Sequence, residues 1–189
     1  MIKDKIILGI DPGTNVMGYG LIHVKGTQAT LLKFGVLNMS KENDHGIKLK
    51  MIFEHVLDLI DTYKADELAA EAPFFGKNVQ SMLKLGRAQG VALAAALYRN
   101  VPIFEYSPRK IKQSITGKGA ASKEQVAAMI QRLLIIPDAD MPKYMDATDG
   151  LAAAVCHHFQ HRNGVIVSNE KGVSGWKAFA AQNPDRVKM

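Results

Sequence analysis

The chain has 189 residues, of which 47% are hydrophobic and 22% are charged, a composition typical of one globular domain that buries its own core. Its 24 Lys and Arg against 18 Asp and Glu give a formal net charge of +6, which favours a polyanionic partner. The single cysteine, Cys156, excludes an intramolecular disulfide and a cysteine-based zinc site, and the lack of a signal-peptide pattern or of an apolar run of ~18 residues predicts a cytoplasmic protein.

The hydrophobic pattern predicts a three-stranded antiparallel meander at the start of the chain. The first strand, Lys5–Asp11, is a short apolar run that ends before the Pro-Gly turn signal at 12–13. Two further strands, 17–24 and 29–37, are separated by a Lys-Gly turn. Because the connections are short, we expect consecutive strands to pair antiparallel.

After residue 40 the period of the apolar residues changes, and helices begin to alternate with strands. Helices are predicted at 41–63 and 78–99, and a strand follows each of them, at 67–71 and at 101–105. A strand that follows a helix in this way is typical of parallel addition to a sheet.

Three more helices complete the pattern. They are predicted at 108–115, from the capping box of Ser122 and Gln125 to about 134, and from Pro142 to about 161. An antiparallel meander followed by alternating helices and strands predicts an α/β, ribonuclease H-like fold with a five-stranded mixed sheet flanked by helices.

Four carboxylates are candidate catalytic or metal-binding residues. Asp11 and Glu71 end apolar strands, and Asp146 and Asp149 share one face of the last helix. Each has an ordinary alternative, as a turn residue, a solvated strand end, or a helix cap and first-turn acid. As a set of oxygen ligands without Cys or clustered His, they suit Mg²⁺ or Mn²⁺. Two such ions support phosphodiester hydrolysis, so the set predicts a nuclease or a phosphotransferase.

A set of motifs in a fixed order carries a more specific resemblance. The motifs run from about residue 6 to residue 158 and are Gly9-Ile-Asp-Pro-Gly-Thr14, Gly18-Tyr-Gly20, Glu71-x-x-Phe74, Lys77-Asn78, Leu83-Lys-Leu-Gly86, Gly90-Val91, Phe104-Glu-Tyr106, Lys112-Gln113 and Asp146-x-x-Asp149. Through these motifs and their order, the chain resembles the RuvC family of bacterial Holliday junction resolvases, the crossover junction endodeoxyribonucleases. The first motif alone also fits actin-like and sugar-kinase ATPases, which need a second domain that this chain is too short to hold.

The resemblance implies a homodimeric endonuclease in which each subunit nicks one of two like-oriented strands of a four-way junction. Matched residue by residue, Asp11, Glu71, Asp146 and Asp149 would be catalytic and would hold two Mg²⁺ ions per subunit, with Mn²⁺ as a substitute. Some relatives have His in place of Asp146. The resemblance further implies 5′-phosphate and 3′-hydroxyl ends, cooperation with the RuvA and RuvB branch-migration proteins, and a setting in DNA recombination and repair.

Aromatic and basic residues are the expected DNA contacts. Under the resemblance, Phe74 stacks on bases at the opened junction centre, although Ala72-Pro73 departs from the family pattern beside it. Residues 109–132 carry six Lys and Arg against one acid, which predicts salt-sensitive DNA binding. Lys84 and Arg87 could extend this track. The expected DNA-binding residues are Phe74, Lys77, Arg109, Lys112, Lys118 and Lys123.

Two further patterns leave alternatives open. Gly86, Gly90 and Ala94 recur every four residues, which fits packing on the chain's own sheet or a subunit interface. His157 and His161 share a face at the end of the last helix, where we expect them to interact with the helix C-terminus rather than with a metal.

The expected domain organisation is a nuclease domain at 1–162 and a polar, basic tail at 163–189. The tail is either disordered or an additional electrostatic contact with DNA. A junction-binding protein without catalysis, and a related nuclease for RNA or other branched DNA, are the remaining functional alternatives.

Overall fold

The computed structural model describes residues 4–72, 78–142 and 145–162. The strands are β1 (Lys5–Asp11), β2 (Val16–Lys25), β3 (Gln28–Asn38), β4 (Glu67–Glu71) and β5 (Ile103–Tyr106). The helices are α1 (His45–Tyr63), α2 (Val79–Tyr98), α3 (Pro108–Thr116), α4 (Lys123–Leu134) and α5 (Met145–Arg162). None of the described helices has the length and hydropathy to cross a membrane.

The five strands form one mixed sheet in the order β3-β2-β1-β4-β5. β1, β2 and β3 pair antiparallel, whereas β4 and β5 are parallel additions, which confirms the mixed sheet predicted from the element order. Because β1 and β4 are parallel neighbours, their carboxyl ends meet at one edge of the sheet. Asp11 and Glu71 are the last residues of these two strands.

Each face of the sheet has its own hydrophobic core. Leu8 and Ile10 of β1 pack with α1 and α2, whereas Ile7 and Ala69 pack with α3, α4 and α5. Alternate residues of a strand point to opposite faces, so Asp11 lies on the same face as Ile7. The strand period therefore directs the Asp11 side chain towards α5.

The ends of some elements differ from the predictions. α1 begins at His45 rather than at 41, because the Asp44 side chain caps it by accepting from the N–H of Ile47. The described part of α5 runs from Met145, and Pro142 is not helical, so the predicted start at Pro142 is wrong. The capping box of Ser122 and Gln125 is confirmed at the start of α4.

The alanines of α2 pack on the sheet, whereas its glycines do not. Its fully buried residues are Ala88, Ala92, Ala95 and Ala96, whereas Gly86 and Gly90 are exposed. A Cβ built on either glycine would meet no heavy atom within 4 Å. Packing of the glycines on the chain's own sheet is therefore the wrong alternative.

Candidate active site

Three carboxylates meet where the end of β1 faces the start of α5. Asp11, Asp146 and Asp149 each offer an oxygen atom, and these atoms all lie within 4.8 Å of one another. Asp146 and Asp149 lie in the first turns of α5, three residues apart, so both project from one side of the helix. A cluster of carboxylate oxygens at this spacing suits a hard divalent cation.

Glu71 lies beside this group. Together with Asp149, Lys112 and Lys123 it lines a cavity of about 120 Å³. Burial raises the pKa of Glu71, and the negative charge of Asp149 raises it further. The structure thus brings Glu71 into the electrostatic field of the three aspartates, although it is not one of the three whose oxygens cluster most closely.

Glycines in β1 and β2 determine how closely α5 approaches the sheet. Gly9 and Gly20 pair across the two strands, and Gly18 pairs with Asp11. A Cβ on Gly9 would lie 2.2 Å from the carbonyl oxygen of Gly150, far inside van der Waals contact. The backbone of α5 therefore rests directly on β1 and β2, which sets the depth of its carboxylates relative to Asp11.

The cluster is electrostatically strained without a cation. Burial, together with the charges of Glu71, Asp149 and Asp146, raises the pKa of Asp11 to about 8. Like charges at this distance disfavour simultaneous ionisation. A bound divalent cation would reverse the effect and keep the carboxylates ionised.

Lys123, at the start of α4, lies against the aspartates. Its Nζ donates a hydrogen bond to Oδ2 of Asp149 and lies 4.0 Å from Oδ1 of Asp146. Burial lowers the pKa of Lys123, but the bond to Asp149 and the neighbouring carboxylates outweigh that effect, so the pKa is raised overall. The ammonium is therefore charged and partly neutralises the carboxylate cluster.

The other expected DNA contacts are distributed around this site. Lys112 lines the cavity with Glu71. Arg109 and Lys118 are exposed and do not line it; the alkyl chain of Arg109 packs along Gly119. Phe74, Lys77 and the tail at 163–189 lie outside the described residues.

Gln89 contributes to the site and was not predicted from the sequence. Its side chain, 5% exposed, donates from Nε2 to Oε1 of Glu105 at 2.6 Å and to the backbone oxygen of Glu71 at 3.5 Å. It therefore ties α2 to the end of β4 that carries a candidate ligand. A polar residue within the Ala- and Gly-rich part of α2 is the signal that could have indicated it.

His157 does not interact with the helix C-terminus, so that expectation is wrong. The side chain is fully buried, with Nδ1 2.6 Å from the hydroxyl of Tyr106 and Nε2 2.7 Å from Oε2 of Glu67. Burial raises the pKa of Glu67, but hydrogen bonds from His157 and Lys5 outweigh it and bring the pKa to about 2. This network joins α5 to the opposite end of β4 from Glu71.

Comparison with known proteins shows which family this chain is similar to. The family model described as "Crossover junction endodeoxyribonuclease RuvC" matches residues 7–157, a range that includes all four candidate carboxylates. The crossover junction endodeoxyribonuclease RuvC of Cytophaga hutchinsonii is 62% identical over 185 residues, which are 98% of this chain and 89% of the relative. That of Bacteroides fragilis is 61% identical over 187 residues, 99% of this chain and 98% of the relative.

A solved structure agrees with these matches. The fold is similar to Thermus thermophilus RuvC in complex with a Holliday junction substrate, with a TM-score of 0.78 and 33% identity. The match covers 85% of this chain and 96% of that one. The predicted ribonuclease H-like fold is confirmed by this likeness.

Proposed function

The chain belongs to the RuvC family of crossover junction endodeoxyribonucleases, and from this membership we propose how its own residues carry out the reaction. The protein is a structure-selective endonuclease that resolves four-way DNA junctions in recombination and repair. Its described residues include an acidic group able to hold a metal ion. The roles of individual residues, the number of ions and the assembly are our proposals.

We propose that Asp11, Glu71, Asp146 and Asp149 are the catalytic residues and hold two Mg²⁺ ions, for which Mn²⁺ substitutes. The observation that supports this most directly is the convergence of three carboxylates within 4.8 Å, with Glu71 beside them. When bound, such ions activate a water and stabilise the leaving oxygen in phosphodiester hydrolysis. The donor set fits this chemistry because it consists of oxygens alone.

The remaining residues of the site orient the substrate. Lys112 and Lys123 flank the cavity that contains Glu71 and Asp149, so their ammonium groups can hold a DNA phosphate against the carboxylates. We propose that Arg109 and Lys118 continue this contact along the backbone, and that Phe74 and Lys77 act at the junction centre. The products are 5′-phosphate and 3′-hydroxyl ends.

We propose that the active form is a homodimer joined through α2. The outer side of this helix exposes Leu83 and Leu97, at 52% and 55% of their surface, beside Gly86 and Gly90. Small residues let a second backbone approach closely, and a two-fold interface would present two active sites symmetrically to one junction. We further propose a nuclease domain at 1–162 with a basic tail at 163–189, cytoplasmic location, and cooperation with the RuvA and RuvB branch-migration proteins.

The test is cleavage of a mobile synthetic four-way junction and of its linear duplex control, each with Mg²⁺ or with EDTA. We expect paired symmetric nicks, sealed by a ligase, in the junction and only with Mg²⁺. Asp146→Asn should abolish them, whereas Asp140→Asn, at an exposed acid outside the cluster, should not. Equal cutting of a branched RNA or of the linear duplex would contradict junction selectivity, and unchanged cutting by Asp146→Asn would contradict the assigned site.

A further inference from the structure

A second polar cavity lies on the other side of the sheet from Lys112 and Lys123. It has a volume of about 230 Å³ and lies between the loop after β1, the start of α1 and the first turns of α2. We call it the basic pocket. Residues that line it include Thr14, Asn15, His45, Lys48, Ser81 and Lys84.

Two lysines give the basic pocket its charge. Lys48 donates from Nζ to Oδ1 of Asn15 at 2.7 Å, which holds the ammonium at the loop and leaves two of its three N–H groups for another acceptor. Lys84 lines the pocket from α2. Within the described part of the chain, neither lysine forms an ion pair.

The acidic residues near the pocket accept hydrogen bonds from backbone N–H groups. Oε1 of Glu42 accepts from the backbone N–H groups of Asn43 and Asp44, at 2.7 and 2.8 Å. Oδ1 of Asp44 accepts from the N–H of Ile47 at 2.9 Å. Neither carboxylate lines the pocket, so its lining is positively charged, and the N-terminal ends of α1 and α2 add to the positive potential.

His45 adds a polar side chain to the lining of the basic pocket. Its Nε2 atom is buried without a hydrogen-bond partner among the described residues. Buried polar atoms in proteins nearly always have a partner. Because solvent does not reach Nε2 in this structure, a phosphate oxygen would contact this atom only after the imidazole turns, and Lys48 and Lys84 carry the charge that attracts the phosphate.

The position of the pocket indicates which anion it takes. Thr14 and Asn15 follow Asp11 in the loop after β1, and Ser81 and Lys84 lie on the helix that follows Glu71. The pocket therefore lies at the same edge of the sheet as the carboxylates, on the face covered by α1 and α2. Lys112 and Lys123 approach from α3 and α4 on the opposite face. DNA lying across this edge would contact both sides.

We propose that the basic pocket binds a phosphodiester of the DNA backbone, separate from the phosphate that is cleaved. The proposal rests on the nuclease function proposed above and deepens it, since Lys84 becomes part of a defined site with His45 and Lys48. The carboxylates then lie between two phosphate-binding regions, which orients the bound strand across them.

Salt dependence of binding is the direct test. The affinity of the full-length protein for a fluorescent four-way junction and for a linear duplex is measured in EDTA between 50 and 300 mM salt. Lys48→Gln and Lys84→Gln should each weaken binding several-fold at low salt. Each should also reduce the slope of log affinity against log salt by about 0.9, the contribution of one phosphate contact.

Lys50→Gln is the matched control. Lys50 lies on the same helix as Lys48, is solvent-exposed and pairs with Glu54 at 3.6 Å, so the variant removes the same charge outside the pocket. Its affinity and slope should stay close to those of the wild type. Equal slopes for Lys48→Gln, Lys84→Gln and Lys50→Gln would overturn the proposal.

Two additional measurements, on charge-conserving variants and on competition by inorganic phosphate, separate the possible outcomes. Lys48→Arg and Lys84→Arg keep the charge and should retain the wild-type slope, which distinguishes a lost phosphate contact from a folding defect. Inorganic phosphate should compete only weakly with DNA for the protein. If micromolar phosphate competes and the Lys→Gln variants keep the wild-type salt slope for DNA, the pocket binds free phosphate and the DNA contact is overturned. Failure of the wild type to cleave the junction would contradict the proposed function, while the slopes on the duplex would still report on the pocket.

Discussion

The carbonyl oxygen of Asp146 lies only 1.8 Å from the position that a Cβ on Gly18 would occupy. A side chain at Gly18 would therefore push the first turn of α5 away from β2, and with it a candidate metal ligand. The position of the Cβ is fixed by the backbone of Gly18, and the oxygen belongs to the backbone of α5. No side-chain rotation can therefore relieve the clash.

Gly18→Ala should destabilise the protein by about 1–3 kcal/mol and reduce junction cleavage by more than its stability loss explains. Denaturant unfolding and single-turnover cleavage at a temperature where the variant is folded would measure both effects. Gly46→Ala is the control, since among the described residues the added Cβ would come close only to the side chain of Asp44, at 3.1 Å. A fully active, stable Gly18→Ala would show that α5 is not positioned by this contact.

Metal-free stability should depend on the protonation of Asp11. Its pKa is raised from 3.8 to about 8 by burial and by the neighbouring carboxylates. Between those two values the folded protein binds more protons at this residue than the unfolded chain, so the free energy of unfolding should fall as pH rises through that window.

Asp11→Asn removes this penalty, and the metal-free variant should be more stable than the wild type at pH 8 and similar to it near pH 4. A gain of about 1 kcal/mol would raise Tm by roughly 2–4 °C in a chain of this size. Thermal unfolding in EDTA at both pH values is the measurement, and Mg²⁺ should raise the Tm of the wild type more than that of the variant. A variant that is less stable at pH 8 in EDTA would contradict the predicted strain.

Lys123 should compete with metal ions for the carboxylates. Since its ammonium bonds to Asp149, a cation that uses this oxygen must displace it. Lys123→Met should therefore tighten Mn²⁺ binding several-fold in calorimetric titrations without DNA, while it weakens junction cleavage. Lys118→Met, at an exposed position away from the cavity, should leave Mn²⁺ affinity unchanged. Weaker Mn²⁺ binding in Lys123→Met would mean that the lysine supports the metal site instead.

The outer side of α2 should control assembly. Leu83→Glu places a charge within the exposed stripe that includes Gly86 and Gly90, and should raise the dimer dissociation constant by at least tenfold in sedimentation experiments. Leu133→Glu is the matched control, because Leu133 is 41% exposed on α4. A Leu83→Glu dimer as tight as that of Leu133→Glu would exclude this interface.

Much of the architecture could be predicted from the sequence because it depends on local patterns. Apolar runs bounded by turns located β1 and β4, and the three-residue spacing placed Asp146 and Asp149 on one helix face. The motifs, in their fixed order, indicated the family. The start of α5 and the inner side of α2 were predicted less accurately, because a helix start and a buried face depend on neighbours that are distant in the chain.

Only the tertiary structure decided which side chains meet. His157 was expected at a helix end, yet it pairs with Glu67, 90 residues away. Lys123 was expected on DNA, yet it contacts Asp149 in this structure, and His45 and Lys48 become a pocket only when α1 packs beside the loop after β1. Local periodicity determines which way a residue faces within its own strand or helix. Contacts between elements depend on how closely backbones approach, which here the glycines of β1 and β2 allow.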